Sequence, residues 1–399
     1  MPDTERFLDL AIDVGRLIAA AAEPDVAGSR WRTRTYFGED AYGTDVFAGS
    51  AGPVILLASL FAATQETRFR DVAESGALWI EAQTRRALTA ADRDPGLYFG
   101  VAGDGMTFLH LYECTGRERW LDLARTRVKA LRGIAYQEED PLEGASGTGT
   151  FLLRAHQVAG DAGALDLAVA AGEHLLQRAL TVDRGWYWRW NRRSGSFDGI
   201  GFAHGTAGIA CFLAELSRYS SDPRLPEAVL GAARWIDAHA EPGPAWRRWP
   251  GDERPASVQW CHGAPGIGLF AARAFAALGD DELEDLALRA AESTYVAGDI
   301  RANPSQCHGL AGNAELFLEL WRVLGDDLWL ERAVEFGHTA AAYREEGPDG
   351  ARWRGDEPGN YSPDFMMGSA GLGHFFLRLA RPDAVDMPLM AAPARADSE

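Results

Sequence analysis

Cysteine is scarce in this chain, with four residues among 399: Cys114, Cys211, Cys261 and Cys307. In a large chain without an export signal such thiols stay reduced, which argues against a disulfide framework. Basic residues are also in deficit, 39 Lys and Arg against 58 Asp and Glu, for a formal charge of -19. That balance argues against general affinity for nucleic acid or an anionic membrane, since both need a basic face. The sequence also lacks a long apolar run. The longest uncharged apolar run, around Ser50 to Thr64, is too short and too rich in small residues to span a bilayer. At the N-terminus, Met1-Pro2-Asp3-Thr4-Glu5-Arg6 has no basic stretch followed by an apolar segment, so a cytoplasmic protein without membrane insertion is expected.

What is abundant is small and apolar. Hydrophobic residues make up 47% of the chain and charged ones 24%, enough to build a large soluble core. A Gly-x-x-Gly pattern begins at Gly49, Gly100, Gly144, Gly205, Gly263, Gly309 and Gly368. Each copy opens a run apolar on nearly all sides, as in Ile209-Ala210-Cys211-Phe212-Leu213, which is how a fully buried helix reads. A second series alternates with it and carries an acid between apolar residues, as in Phe69-Arg70-Asp71-Val72-Ala73 and Leu283-Glu284-Asp285-Leu286-Ala287. Its acid is expected in the first helical turn, where it complements the dipole, and the rest reads as amphipathic.

Short connections such as Leu278-Gly279-Asp280-Asp281 make each inner and outer helix a tight hairpin. Seven such hairpins bury most surface by closing into a ring, and neither end resembles a capping repeat. The expected fold is therefore all-α: an α/α toroid of one domain over residues 1–380, with small β flaps and a flexible tail over 381–399. Four longer loops are rich in Trp and Arg, namely Arg30-Trp31-Arg32, Trp186 to Trp190, Trp246-Arg247-Arg248-Trp249 and Arg352-Trp353-Arg354. They read equally as binding loops and as lids over the core.

Residues just before each Gly-x-x-Gly hold equivalent positions, and three consecutive units place metal-type side chains there. These are His204, Cys261 with His262, and Cys307 with His308. Thiolate and imidazole suit zinc, and three protein ligands with an open position define a catalytic site. Helix N-termini favour the thiolate form. Which of the five side chains would bind is left open by the repeats. Cys114 and Cys211 fall inside inner helices and read as core.

The motifs Trp260-Cys261-His262-Gly263, Cys307-His308-Gly309 and Ala203-His204-Gly205, set in seven units, resemble the LanC-like lanthionine cyclase family end to end. The resemblance implies Zn2+ held by Cys261, Cys307 and His308, with His204 as acid/base and Asp140 matching a family aspartate. It implies a dehydrated precursor peptide as substrate, whose cysteine thiolate adds to dehydroalanine or dehydrobutyrine to form a thioether ring. His204 would protonate the resulting enolate, with Asp140 or His262 assisting. A dehydratase or kinase–lyase protein would be the partner supplying that peptide.

Two positions depart from the family. His262 stands where many stand-alone cyclases have Tyr, and Ser257 replaces an Arg, leaving Arg254 as the nearest substitute. His204 could also be a hydrogen-bonded cap, Asp140 an ordinary helix-terminal charge, and His262 a packed structural ring. Competing functions are addition of glutathione or another free thiol to dehydroamino acids, and a non-catalytic peptide-binding toroid. A carbohydrate-active toroid would have to use Asp140 with Glu143 and would leave both Cys-His pairs unexplained.

Overall fold

The computed structural model describes residues 3–392 apart from 36, 86–87, 89–93, 193–194, 298–302 and 348–349. Its helices follow the two alternating series, fourteen among the described residues. In chain order they are α1 (Thr4–Ala20), α2 (Ala51–Thr64), α3 (Thr67–Thr84), α4 (Val101–Thr115), α5 (Glu118–Ala130), α6 (Ala145–Ala159) and α7 (Ala162–Arg178). There follow α8 (Thr206–Leu216), α9 (Arg224–Asp237), α10 (Ala264–Leu278), α11 (Asp281–Ala297), α12 (Leu310–Leu324), α13 (Asp327–Ala341) and α14 (Ser369–Ala380). The expected small flaps are present as five two-stranded antiparallel hairpins among the described residues.

The chain forms two compact units. One comprises residues 1–134, 299–312 and 333–389. Within it α2 pairs with α3 and α4 with α5, while α2 packs against α4 and α14. Helix α2 is buried from Ala51 to Leu60, as its all-round apolar sequence requires. Outer helix α1 pairs with α14, so this hairpin joins elements from opposite ends of the sequence. The other unit comprises residues 135–298, 313–332 and 390–399. Its hairpins are α6 with α7, α8 with α9 and α10 with α11, and α8 packs on both α6 and α10.

Five hairpin turns reverse on a residue in the left-handed region after the inner helix, while the turn after α8 does not. Gly116, Gly160, Gly279 and Gly325 fill this place with φ between 63 and 70°. In the first hairpin Gln65 takes it at φ 61°, offsetting the steric cost with amide bonds to the carbonyls of Phe61 and Ala62.

The Gly-x-x-Gly motif proves to be a wrapping device. The chain before the inner helices folds over the helix N-terminus, and in five of them the first helical N–H donates to the carbonyl seven residues earlier. This bond runs from Val101 to Asp94 (2.9 Å), Ala145 to Glu138 (3.0 Å), Thr206 to Gly199 (2.9 Å), Leu310 to Asn303 (2.8 Å) and Ser369 to Ser362 (2.9 Å). It satisfies one of the orphan donors at the helix start. At Gly263, with φ 112°, a Cβ would lie 1.7 Å from the Ser257 carbonyl oxygen, so no other residue fits. The residue before the glycine is thereby fixed at the helix mouth.

Two expectations need correction. Of the signature acids, only Glu227 and, in the Glu284-Asp285 pair, Glu284 lie in the first turn of their helices. The other helices start earlier, with their own first-turn acids such as Glu5, Glu118 and Asp327. The signature acids Asp71, Asp122 and Asp285 instead pair on the surface with Arg70, Arg125 and Arg289.

The tail is not uniformly loose: Leu389, Met390 and Ala391 are buried. Gln157 holds Ala392 through its N–H at 2.7 Å and its carbonyl at 3.2 Å. The Ala391 carbonyl accepts from Arg273 at 2.7 Å. Arg273 is itself buried against Glu215 and Glu319. Residues 393–399 of the expected tail lie outside the described residues.

The Trp-rich loops divide between their two readings. Trp31, Trp188 and Trp246 are fully buried, and their indole N–H groups donate to the Ile18, Leu175 and Ile236 carbonyls near the ends of α1, α7 and α9. They cap outer helices, and Trp353 is likewise buried. Only Trp190 and Trp249 of these loops are part-exposed with aromatic partners near a predicted site residue.

Candidate metal centre and acid–base pair

The wrapping loops carry the predicted site residues. Cys261 and Cys307 are 5% and 2% exposed, burial that shields thiols from casual oxidation. Cys261 lies beside Gln259 Oε1 at 3.7 Å. Cys307 donates its backbone N–H to the Met366 carbonyl at 2.8 Å. His308 is part-exposed, and its Nδ1 lies 3.6 Å from Asp356 Oδ2. Ligand atoms of Cys261, Cys307 and His308 all lie within 4.8 Å of one another, a group that could hold a metal ion. Two sulfurs and one imidazole nitrogen suit a borderline-soft tetrahedral ion, whose bonds of about 2.0–2.3 Å would draw such a group slightly inward.

Asp356 lies where a metal-binding histidine commonly finds its carboxylate partner. Burial works against its charge, but hydrogen bonds from His308 and Asn360 hold its carboxyl below the usual range. At Cys211 desolvation has the opposite net effect. Cys211, buried in α8, is pushed up to about 12 and stays a thiol. Cys114 is half-buried rather than core, 3.6 Å from His110 Nε2. None of the four cysteines is in a disulfide.

The unit that contains Cys261 also holds a carboxylate–imidazole pair. His204 Nδ1 lies 2.6 Å from Oδ2 of Asp140, which is buried while the imidazole is 21% exposed. The bond occupies Nδ1, so a proton moved by His204 travels on Nε2. The Ala203 N–H donates to the Cys261 carbonyl at 3.1 Å, stitching the two loops together. The His262 ring lies 6.3 Å from that of His204, close enough to border it but not to bond through the rings.

Comparison among repeats separates the two jobs of Asp140. Its Oδ1 accepts the Glu143 N–H at 2.8 Å, and the equivalent aspartates do likewise, Asp45 from Ala48 and Asp364 from Met367, both at 2.8 Å. That bond is structural. The contact of Oδ2 with a histidine belongs to Asp140 among these three, because the residue before the next repeat glycine is His204 there but Ala48 and Phe99 elsewhere.

Burial without a histidine has a measurable consequence at Asp364, whose carboxyl is pushed up to about 7 by desolvation. In the unfolded chain it would lose its proton near the ordinary value of 3.8, so between these values the folded state binds more protons. Stability therefore falls as pH rises from about 4 to about 7 and stays lower above. Asp364→Asn keeps the acceptor for Met367 and removes the buried charge. Denaturant titrations should show the variant gaining about 1–3 kcal/mol over wild type at pH 8 and nothing at pH 4; equal gain at both would exclude this cause.

Arg254, the nearest substitute for the arginine absent at Ser257, is committed elsewhere. It donates to Asp252 at 2.9 and 3.1 Å and lies 4.7 Å above the Trp249 ring. Trp249 stacks near Phe197, Phe197 near Trp190 and Trp190 near His204, each pair with centroids 4.6 Å apart. Sequence reading passed over this ladder because Phe197 and Trp190 lack any signal beyond loop aromaticity.

The model of the family described as "Lanthionine synthetase C-like protein" matches residues 40–390. A zebrafish (Danio rerio) protein named glutathione S-transferase LANCL1 is 28% identical over 47% of this chain and 45% of its own. The Arabidopsis thaliana LanC-like protein GCL1 is 31% identical over 34% of this chain and 31% of its own. The matches thus span less than half the length of these curated relatives. Among solved structures, nisin cyclase superposes with a TM-score of 0.68 at 18% identity, covering 98% of this chain and 95% of that one. The fold is shared with that protein, and it is all-α apart from short β hairpins, as the repeats led one to expect. No helix among the described residues is long and apolar enough to cross a membrane.

Proposed function

The chain belongs to the lanthionine synthetase C-like family, and from that premise we propose that it is a zinc-dependent cyclase that closes thioether rings in a dehydrated peptide. The observation that carries this reading is the grouping of two buried thiols and an imidazole, Cys261, Cys307 and His308, within 4.8 Å. Zn2+ bound by these three would lower the pKa of a peptide thiol taking the open position, so that thiolate is available near neutral pH.

The chain's own residues supply the proton. Addition of the thiolate to the β-carbon of a dehydroalanine or dehydrobutyrine forms one C–S bond and leaves an enolate. His204, protonated, delivers a proton from Nε2 to the α-carbon, and the proton lost by the thiol replaces it, so nothing leaves. Asp140 holds Nδ1 and stabilises the imidazolium while it waits. His262 borders this pair and shapes its pocket. The peptide comes from an enzyme class that dehydrates serine and threonine, and such a dehydratase is the partner implied.

A second reading has one observation in its favour, the glutathione S-transferase name of the zebrafish relative. In it an external thiol adds to the same dehydroamino acids, using the same site. A single incubation with a dehydrated, cysteine-containing peptide separates the two. Loss of alkylatable thiol at constant peptide mass supports cyclisation; a mass gain equal to added glutathione supports the second reading. No change with either, in protein shown to hold zinc, would overturn both.

A further inference from the structure

His204 is restrained along its edge by Asp140, but an edge contact alone leaves an imidazole able to tilt out of plane. The aromatic ladder addresses that freedom. Trp190 and Phe197 are directly opposed across the antiparallel hairpin of Trp190–Arg192 and Gly195–Phe197. Their rings meet edge to face at 4.6 Å and 61°. Phe197 is backed in turn by Trp249, at 4.6 Å and 34°. Trp249 carries the Arg254 guanidinium at 4.7 Å, and Asp252 anchors that guanidinium with two bonds. Aromatic and cation–π contacts of this kind are individually worth about 0.5–1.5 kcal/mol, so the stack is stiffer than its exposed position suggests.

At the inner end of this stack the Trp190 indole lies over the His204 imidazole, with centroids 4.6 Å apart and planes 32° from parallel. Asp140 meets the same ring at Nδ1, 2.6 Å away. The two contacts act in different directions, one in the plane of the ring and one on its face. Together they leave Nε2 a narrow range of aim.

We propose that Trp190 is a positioning residue for His204: braced by Phe197, Trp249 and Arg254, it fixes the plane of the imidazole and hence the direction in which Nε2 presents its proton. The inference rests on the reading of His204 as proton donor, since a misaimed donor matters only where a proton is delivered. Misplacement of a catalytic group by about 1 Å can cost 10²-fold in rate, and a tilted ring on an intact tether falls below that.

The test compares Trp190→Ala, Trp190→Phe and wild type as zinc-loaded full chains, using ring closure of the dehydrated peptide and ¹⁵N-histidine NMR. The expected result is a kcat lower by about 10–50-fold in Trp190→Ala with KM within about threefold. Trp190→Phe, which restores a flat ring, should recover kcat to within about threefold of wild type. The His204 resonances should be sharp and Nδ1-protonated in wild type and broadened in Trp190→Ala. Unchanged kcat, a rise in KM alone, or no advantage of Phe over Ala would overturn the inference. So would an unbroadened His204 signal. If Trp190→Ala does not fold, Phe197→Leu, which removes only the backing ring, should give the same pattern in weaker form, and its absence overturns the proposal equally. Failure of the underlying reading shows separately: His204→Asn would then turn over normally, whereas the NMR arm reports ring order regardless of turnover.

Discussion

Cys307→Ala should lower the zinc content of the purified protein from about one ion per chain to less than about a tenth, and ring closure should vanish with it. Cys307 is one of three grouped donors, and two remaining ligands leave a metal exchangeable. The helical signal in far-UV circular dichroism should be largely retained, because Cys307 is tied into its loop by its backbone bond to Met366 and not by its sulfur alone. Cys211→Ala is the matched control. Its thiol, pushed up to about 12 by burial, is a poor ligand, and zinc should be unaffected. Metal analysis beside an alkylation assay decides the matter: full zinc in Cys307→Ala would sink the proposed ligand set. Loss of fold together with metal would instead favour a scaffold in which the ion is structural.

His204→Asn should lower kcat by about 10²–10⁴ with zinc content unchanged, the range typical of removing a general acid. Asp140→Asn should cost less, about 10–10³, since the amide keeps the imidazole in place but cannot stabilise its charged form. The asparagine also keeps an acceptor for the Glu143 N–H, so the turn survives. Asp140→Ala removes both bonds and should additionally destabilise the fold by about 1–3 kcal/mol. Single-turnover kinetics with denaturant melts on the same samples would separate the two losses. Equal rate effects for Asn and Ala with no stability difference would contradict the division of labour between Oδ1 and Oδ2.

The repeats made most of the scaffold legible. Apolar runs after Gly-x-x-Gly read correctly as buried helices because burial on all sides removes polar residues from every face, a signal independent of register. The motif also showed that His204, Cys261, His262, Cys307 and His308 stand at equivalent points before its first glycine, while the choice of Cys261, Cys307 and His308 as ligands came from the family resemblance and not from the repeats. What the sequence could not disclose was which loop tryptophans do what. Trp188 and Trp190 are two residues apart in one loop, yet one is buried capping the Leu175 carbonyl and the other lies over His204. The difference arises because Trp188 falls between two short hairpins while Trp190 opens the second, a boundary that no local pattern announces. The shared duty of Asp140, Asp45 and Asp364 was hidden likewise, since a side-chain bond to a backbone N–H three residues on leaves no trace in composition. Arg254 looked available by proximity, and only the positions of Asp252 and Trp249 show it engaged.

The pairing of α1 with α14 carries a consequence for synthesis. The partner that covers Phe7, Ala11 and Val14 is encoded about 350 residues downstream. At ribosomal speeds of about 5–20 residues per second, the apolar stripe of α1 waits roughly 20–70 s for it. During that interval the nascent chain exposes the surface most prone to sticking to its neighbours. A holdase bound to the first twenty residues, or slow elongation late in the message, would therefore change the yield of soluble protein more than either would for a fold assembled from consecutive hairpins.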